Sequence, residues 1–502
     1  MLEHLTAGFV HIFEPSALLA LLAGTVIGYF VGAMPGLNPT LGISLLIPFT
    51  FGMKPVPAIV LLTGLYMACE YGGGITAILI NTPGTSAAAA TALDGYPLTR
   101  QGQAGRALGI SMISSGIGNL LSTVLLLFSA VPLAAFALKF GGPEYFALAF
   151  LGLSIVSTLS AEDLIRGCIS AIFGLLLSCI GVDAVSGTSR FVVSYHFLGG
   201  MPFVPAMVGL FAISEVFSLF EKSEEKSLAG NVEGKVDSLP TVEDIKYVMP
   251  TILRGTLLGY IVGVIPAAGA NIASWLAYNN ARQRSGHPEK FGHGAIEGIA
   301  ACESANNAAV SGALVPLLTL GIPGSSAAAV LIGALTIQGL QPGPLLFTRN
   351  PEIPYSIIAA FLLGAPLMTG LGIFCARFFA KVTLVPREIV AFSVLGVCIL
   401  GTFALDNSMF YVWVMFAFGI VGYFMKKCGY PAAPMVLAMV LGQMAEYNLR
   451  LALLMGKGSF MIFLRRPICL IVLILTLFSL AWPLWRKYKM KRYQVERTAK
   501  NG

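Results

Sequence analysis

The stretch Ile80-Asn81-Thr82-Pro83-Gly84-Thr85-Ser86 decides the fold of this chain, and Gly321-Ile322-Pro323-Gly324-Ser325-Ser326 repeats its character in the second half. Each stretch is polar, is broken by Pro-Gly and lies between short apolar arms. A membrane span needs about 20 apolar residues, so neither arm spans a bilayer alone. Non-helical backbone at membrane depth is tolerated only where protein or a wet cavity covers it. We therefore predict two re-entrant helical hairpins whose tips stop inside the membrane and form a transport site.

The composition is that of a membrane protein. Hydrophobic residues make up 56% of the 502 residues and charged residues only 11%, whereas an average soluble domain carries about 25% charged residues. No Walker, Rossmann or HExxH motif occurs, and the eight cysteines include no CxxC pair. The five histidines lie in the N-terminal segment and in predicted loops, away from the hydroxyl-bearing tips. We predict an all-α polytopic membrane protein that is not an enzyme and has no cofactor.

Hydropathy divides the chain into two repeats with about twelve to fifteen membrane segments in all. The predicted parts are a first repeat over 1–220 with a hairpin at 72–98, a charged cytoplasmic linker over 221–247, a second repeat over 248–450 with a hairpin at 304–338, an extra helix over 451–485 and a basic tail over 486–502. Before each tip the apolar sequence predicts two pieces, 56–69 with the arm 75–80 and 294–301 with the arm 313–320. The basic tail places the C-terminus in the cytoplasm. The N-terminal segment has acids but no Lys or Arg, and we place it on the outer side.

An internal duplication supports this division. The segment Gly24–Pro35 matches Gly255–Pro266 at seven of twelve positions, where about one match is expected by chance. The same register sets Glu70 opposite Glu303. An odd number of spans in each half would invert the second half, which is the usual architecture of secondary transporters. Matching loops differ in their Lys and Arg content, as inversion requires.

The tips predict where a small anion would bind. Helix N-termini and hydroxyl groups at broken helices hold anionic groups in transporters, and paired asparagines at the breaks 34–40 and 265–271 would add amides. The alternative for each tip is a tight turn with small-residue packing, and for the asparagines an ordinary surface loop. Occurrence of the tips in both halves favours a site. The predicted substrate-binding residues are Asn38, Thr82, Gly84, Thr85, Ser86, Asn271, Gly324, Ser325 and Ser326.

Oxygen-bearing residues near the tips predict a cation site. Glu70 precedes Gly72-Gly73-Gly74, and Glu303 precedes Asn306 and Asn307. An acid at membrane depth is a functional candidate by default, although Glu70 would also suit a structural role in accepting backbone N–H groups that the glycines expose. Since few Lys or Arg lie in the spans, Na⁺ at the hairpin tips would balance a carboxylate substrate, with H⁺ as the alternative. The predicted cation-binding residues are Glu70, Asn81, Thr82, Glu303, Asn306, Asn307 and Gly321.

Two further acids are predicted to have ordinary roles. Asp94 stands in Asp94-Gly95-Tyr96-Pro97 after the first hairpin, and this pattern is typical of a turn. Glu446 lies near the end of a predicted span, where we expect it to be solvated or to cap a helix.

Several motifs together resemble the large membrane subunit of the tripartite tricarboxylate transporters, over Gly24 to Glu446. They are Asn81-Thr82-Pro83-Gly84, Asp94-Gly95-Tyr96-Pro97, Glu303-Ser304-Ala305-Asn306-Asn307-Ala308, Leu320-Gly321-Ile322-Pro323-Gly324-Ser325 and Gly339-Leu340-Gln341-Pro342-Gly343-Pro344. The resemblance implies a bacterial inner-membrane carrier that works with a small four-helix membrane subunit and a periplasmic substrate-binding protein. It also implies import of citrate-like or other carboxylates on a cation gradient, and no nucleic-acid partner.

Two functional hypotheses follow. The first is a cation-coupled carboxylate importer whose tips hold substrate and ion, with elevator-like alternating access. The second is an anion channel or a membrane assembly scaffold without coupled transport. Accumulation of substrate against its gradient discriminates between them.

Overall fold

The computed structural model describes residues 2–34, 37–159, 164–183, 185–221, 239–265, 269–381 and 385–478. The described chain is helical apart from one two-stranded hairpin, which confirms the predicted all-α polytopic class. Two compact units are present, Met1–Leu138 with Val204–Tyr423, and Lys139–Phe203 with Phe424–Gly502. Most of the predicted linker, the basic tail, Pro35-Gly36 and Pro266-Ala267-Ala268 lie outside the described residues.

The first unit holds both predicted hairpins. Its helices are α1 Leu2–Phe13, α2 Pro15–Ala33, α3 Pro39–Leu46, α4 Pro55–Ile80, α5 Ala88–Arg100, α6 Ala104–Ala137, α9 Phe203–Val208, α10 Ser214–Glu221, α11 Val242–Val264, α12 Gly269–Arg284, α13 Ile296–Leu320, α14 Ser326–Ile337, α15 Pro344–Arg349, α16 Glu352–Lys381, α17 Arg387–Ala404 and most of α18 Met409–Lys427. A π-helical segment, Gly209–Ile213, joins α9 to α10.

The second unit is smaller. Its elements are the helices α7 Gly142–Leu159, α8 Leu164–Ser178, α19 Ala432–Met455, α20 Met461–Arg465 and α21 Pro467–Phe478 and the strands β1 Gly181–Val182 and β2 Ser189–Arg190. The strands are antiparallel, with Gly181 opposite Arg190. Helices α7 and α8 both pack on α19.

Seven helices among the described residues are long and apolar enough to cross a membrane. They are Pro15–Ala33, Pro55–Ile80, Ala104–Ala137, Phe203–Glu221, Val242–Val264, Glu352–Ala376 and Met409–Lys427. Several other apolar helices are shorter, among them Pro39–Thr50 and Ser326–Ile337. The count of about twelve to fifteen membrane segments stays a prediction.

The duplicated segments pack in the same way. In each half, three glycines spaced four apart lie against backbone carbonyls of the next long helix, so closely that an added Cβ would come within 3.0 Å of a carbonyl oxygen. The pairs are Gly24 on Leu61, Gly28 on Leu65 and Gly32 on Cys69 for α2 on α4, and Gly255 on Ala301, Gly259 on Ala305 and Gly263 on Ala309 for α11 on α13. Small residues at such spacing let membrane helices approach closely, so packing itself explains the repeated motif.

These contacts correct the predicted register. Leu61 corresponds to Ala301 and Asn81 to Gly321, an offset of 240 residues, whereas Glu70 and Glu303 lie 233 residues apart. Additional residues between α11 and α13 shift the second half after its first helix. The predicted pairing of Glu70 with Glu303 is therefore wrong, and Val310 stands at the place of Glu70.

The long helix before each tip is continuous, unlike the two pieces that the sequence predicts. Helix α4 has 26 residues and α13 has 25. Gly72, Gly73 and Gly74 stay helical because neighbours occupy the places of their absent side chains. A Cβ on Gly72 would lie 2.8 Å from the Tyr29 carbonyl oxygen, and one on Gly73 would lie 2.6 Å from Thr85 Oγ1. These glycines serve close packing rather than flexibility.

Helices from the two halves interlock inside the first unit. Helix α13 packs on α6, and α16 packs on α4. Gly118 of α6 lies against the backbone of Ser304, and the Tyr29 hydroxyl donates to the Met368 carbonyl at 2.6 Å. The hairpin of each half is therefore held by helices of the other.

Candidate functional site

The first tip is a tight turn pressed onto α2 and α4. Helix α4 ends at Asn81, which has left-handed backbone with φ 55°. The Thr82 N–H donates to the Thr76 carbonyl, and the Gly84 N–H donates to the Gly73 carbonyl at 3.3 Å. A Cβ on Gly84 would lie only 1.8 Å from the Gly32 carbonyl oxygen. Around this buried glycine, Asn81 and Ser86 stay exposed while Thr85 is buried.

The second tip repeats this arrangement. Helix α13 ends at Gly321, again left-handed with φ 73°. Gly324 lies on Ala313, the position that corresponds to Gly73, with an added Cβ 2.5 Å from the Ala313 Cα. Ser325 caps α14 by accepting from the Ala328 N–H at 3.1 Å. Both tips therefore end a long helix in left-handed backbone and fold back onto it.

Two hydroxyl contacts join the second tip to the first half. The hydroxyls of Ser325 and Tyr66 on α4 are 2.8 Å apart, and those of Ser326 and Thr40 on α3 are 3.1 Å apart. Within the described residues no hydrogen bond joins the two tips directly. The second tip thus lies beside the helix that leads to the first.

The paired asparagines are less closely connected to the tips. Asn38 is exposed and caps α3, where its side chain accepts from the Leu41 N–H at 2.9 Å. Asn271 is exposed in the first turn of α12. In the segment 34–40, the side chain that contacts the second tip is that of Thr40, two residues after Asn38.

Glu303 is buried among hydroxyl groups. Its side chain is fully inaccessible, Oε1 accepts from the Thr91 hydroxyl of α5 at 2.6 Å, and Oε2 accepts from the Ser115 hydroxyl of α6 at 2.9 Å. A Cβ on Gly74 would lie 2.8 Å from Oε1 and 3.2 Å from the Ser111 hydroxyl. Glu303 therefore faces first-half helices on three sides.

Glu70 is buried with less support. Its carboxylate faces Thr85 of the first tip and Asn306 of α13, and its Oε2 has no hydrogen-bond partner in the part of the chain that the structure describes. No glycine N–H donates to it in the described part of the chain, because Gly72, Gly73 and Gly74 are inside α4. The structural role that we considered for Glu70 is therefore wrong.

Many buried polar atoms on the elements that carry these carboxylates have no hydrogen-bond partner among the described residues. They are Glu70 Oε2, Tyr71 OH, Thr76 Oγ1, Thr85 Oγ1, Ser111 Oγ, Ser114 Oγ, Asn119 Nδ2, both amide atoms of Asn306 and Asn307 Oδ1. Buried polar groups in proteins almost always have partners, which include bound ions, ligands and water. Their concentration on α4, α6 and α13 and at the first tip marks this region as the candidate site. No described Lys, Arg or His forms an ion pair with either carboxylate.

Asp94 is not the turn residue that the sequence predicts. It lies inside α5, is fully buried, and its Oδ1 accepts from the backbone N–H groups of Gly292, Gly294 and Ala295 at 2.8 to 2.9 Å. The two glycines have φ of 87° and 109°, which turns successive N–H groups toward one oxygen. Asp94 therefore fastens the returning arm of the first hairpin to the loop that begins α13.

Glu446 is also not a solvated or capping group. Arg190 donates to both of its oxygens at 2.6 and 3.0 Å, and Arg450 bridges Glu446 and Asp183. These charges line a cavity of about 260 Å³ in the second unit. Sequence distance hid this network, because Arg190 and Glu446 are 256 residues apart.

Acid should release this network only at very low pH. Hydrogen bonds from Ser186 and the Val185 N–H, together with Arg450, hold the pKa of Asp183 well below its usual range. A carboxylate whose pKa is lowered on folding stabilises the folded state at pH values above about 3.9, the pKa of an unfolded Asp. This stabilisation is lost as the pH falls through the pKa of the folded state. The protection factors of the amides over 185–200, which remove the intrinsic pH dependence of exchange, should therefore stay high at pH 5 and fall only below about pH 3.

Asp183→Asn should give fast exchange over the same amides at neutral pH. Glu289→Gln is the matched control, because Glu289 is an exposed acid in another loop. Unchanged exchange in Asp183→Asn would show that Asp183 does not hold this segment.

Sequence reasoning missed five polar residues of the candidate site: Thr40, Tyr66, Thr91, Ser111 and Ser115. Ser111, Ser114 and Ser115 are three closely spaced polar residues in a mostly apolar helix, and this signal was available. Tyr66 and Thr91 carry no such signal, because each lies in a small or apolar helix segment.

Comparisons with known proteins agree with the motifs. Residues 18–437 match the tripartite tricarboxylate transporter TctA family. The chain is 36% identical, over 99% of its length and 98% of the relative, to an Agrobacterium vitis protein described as "Uncharacterized 52.8 kDa protein in TAR-I ttuC' 3'region". It is 35% identical, over 47% of its length and 98% of the relative, to "Uncharacterized protein in TAR-II ttuC' 3'region" of the same organism. No solved structure matches. The predicted resemblance is confirmed, and the chain belongs to the tripartite tricarboxylate transporter TctA family.

Proposed function

We propose that this chain imports a tricarboxylate or another carboxylate on a Na⁺ or H⁺ gradient, and that the two tips hold substrate and ion. Membership of the TctA family makes it the large membrane subunit of a tripartite tricarboxylate transporter, which works with partner subunits that include a binding protein. This is a family of transporters, not of enzymes. The remaining partner in the proposal is a small four-helix membrane subunit.

The observation that carries the proposal is the repeated tip. Each tip ends a long helix in left-handed backbone and is followed by a helix whose first turn is made of small and hydroxyl residues. The first N–H groups of such helices have no partner within the helix and attract carboxylates. In the proposal, Ser86 and Ser326, which are both exposed at the tips, face the substrate.

Two contacts support movement of the hairpins as one body. Asp94 ties the returning arm of the first hairpin to the start of α13, and Tyr66 ties α4 to Ser325. In the proposal the joined hairpins carry the substrate across by elevator-like alternating access. The repeats have inverted topology in the bacterial inner membrane, with the N-terminus in the periplasm and the C-terminus in the cytoplasm.

The test is uptake of labelled citrate and other carboxylates by liposomes that contain this chain and its partner subunits. We expect accumulation only with an imposed Na⁺ or H⁺ gradient. Downhill flux without accumulation would favour an anion channel, and absence of flux with all partners present would favour a scaffold.

Side-chain removal at the tips is expected to reduce uptake at least tenfold. Asn81→Gly removes the amide but keeps the left-handed backbone, and Ser325→Ala removes a hydroxyl that also caps α14, which contributes about 1 kcal/mol. Thr348→Ala is the control, because this exposed hydroxyl bonds only within its own helix. Normal uptake in both tip variants, at equal amounts of folded protein, would remove the tip side chains from the site.

A further inference from the structure

The two buried carboxylates lie in separate oxygen-lined places between α4 and α13. Glu70 faces Thr85 and Asn306, and Glu303 faces Thr91, Ser115 and the space beside Gly74. The positions alternate along the helices: Glu70 and Gly74 are one turn apart on α4, and Glu303 and Asn306 are one turn apart on α13. Each helix therefore contributes to both places.

Each place has a polar group that is buried, unpartnered and turned toward it. In the first, the Asn306 amide oxygen, at 1% exposure, has no donor among the described residues, and the Thr85 hydroxyl, at 4% exposure, faces Glu70. In the second, the fully buried Ser111 hydroxyl lacks a partner. Both Glu303 oxygens already accept one hydroxyl each and keep further lone pairs.

The glycines of α4 let oxygen-bearing groups pack directly against its backbone at both carboxylates. A Cβ on Gly73 would lie 2.6 Å from the Thr85 hydroxyl oxygen, and a Cβ on Gly74 would lie between Glu303 Oε1 and Ser111 Oγ. An alanine at either position would displace these oxygens. Two adjacent glycines thus bring the α4 backbone close to the oxygen-bearing groups of both places.

Electrostatics requires a positive charge at each place. A buried ionised carboxylate without a partner is very unfavourable in a medium of low dielectric constant. The described residues supply no Lys, Arg or His to either carboxylate. Carboxylate, hydroxyl and amide oxygens are ligands for hard cations, and a carboxylate also accepts a proton.

We propose that Glu70 with Thr85 and Asn306, and Glu303 with Thr91, Ser111 and Ser115, form two distinct sites for a monovalent cation, Na⁺ or H⁺. This inference rests on the proposed function and adds its stoichiometry, because two coupling charges then move with each substrate. A cation at one carboxylate makes the potential at the other less negative, so this electrostatic coupling opposes binding of the second cation. Uptake nevertheless rises more steeply than the first power of the cation concentration, because transport requires both sites to be filled.

Among the described residues, the other titratable groups that interact electrostatically with the two carboxylates are tyrosines and cysteines: Tyr29, Tyr66, Cys69, Tyr71 and Cys302. None of these groups carries a positive charge in any protonation state. They therefore cannot replace the proposed cation.

The test is the dependence of citrate uptake on cation concentration in the reconstituted assembly. Na⁺ is varied at fixed pH with choline as replacement, and pH is varied at fixed Na⁺. The wild type should show a Hill coefficient above one and up to about two for the coupling cation. Glu70→Gln and Glu303→Gln should each lower it to about one, because each removes one site.

Glu297→Gln is the matched control, since Glu297 lies on the same helix but bonds Tyr247 and Ser285 outside the two places. A second readout needs no transport: NaCl, compared with choline chloride, should raise the melting temperature of the wild type more than that of either variant. Where a Gln variant does not fold, Thr85→Val and Ser111→Ala keep both carboxylates and test the same two sites.

The outcomes separate the two proposals. Absence of cation-driven accumulation in the wild type overturns the proposed function. Accumulation with a Hill coefficient of one that no variant changes overturns the two-site inference alone. A coefficient near two that falls in both variants supports it, and the cation whose titration shows this behaviour is the coupling ion.

Discussion

Gly84→Ala is expected to abolish uptake and to lower the yield of folded protein. The added Cβ would lie 1.8 Å from the Gly32 carbonyl oxygen and 3.0 Å from the Gly73 Cα. Both neighbours are backbone of long packed helices, so neither moves without shifting a helix. Overpacking of this kind typically destabilises by about 1–3 kcal/mol or more. Size-exclusion yield, melting temperature and citrate uptake measure the effect.

The second tip provides an internal comparison. Gly324→Ala places its Cβ 2.5 Å from the Ala313 Cα, so it should be damaging for the same reason. Gly396→Ala is the matched control, because Gly396 lies in α17 and has no atom within 4 Å of an added Cβ. Wild-type behaviour of Gly84→Ala would mean that the first tip does not rest on α2 and α4.

The sequence was sufficient where one local pattern determined one local structure. The Pro-Gly stretches marked the places where α4 and α13 end, and the match of 24–35 with 255–266 marked a duplication that the glycine contacts of α2 and α11 repeat. Mean hydropathy and the low charge content gave the polytopic helical class. In these cases the physical cause lies in neighbouring residues, which sequence displays directly.

It was insufficient where the outcome depended on partners far along the chain. From Gly72, Gly73 and Gly74 we predicted a break between two helical pieces. These glycines are helical instead, because Tyr29, Thr85 and Glu303 occupy the space beside them. Asp94 was predicted to be a turn residue. This prediction was wrong because its partners, the N–H groups at 292–295, are about two hundred residues away in the sequence. The predicted pairing of Glu70 with Glu303 was wrong because the match between α2 and α11 does not show that the second half has additional residues before α13.

Asp94→Ala is expected to abolish uptake by separating the first hairpin from α13. Its carboxylate is the acceptor for three backbone N–H groups, and that of the buried Ala295 would cost about 1–3 kcal/mol if left without a partner. Asp94→Asn keeps one carbonyl oxygen at the same place and should retain part of the uptake. The assay is citrate uptake, corrected for the amount of folded protein by size exclusion.

A disulfide distinguishes a mechanical tie from a purely local structural role. A Cβ on Gly298 would lie 3.1 Å from the Asp94 Cγ, so cysteines at 94 and 298 are within disulfide reach. The double variant Asp94→Cys with Gly298→Cys is made in a Cys302→Ala background, because Cys302 lies one turn further along the same helix. If Asp94 serves to hold α5 on α13, oxidation should restore uptake and reduction should abolish it again, while either single cysteine variant stays inactive under both conditions. Uptake that is equal in the oxidised and reduced forms would show that the two hairpins do not need this connection to move together.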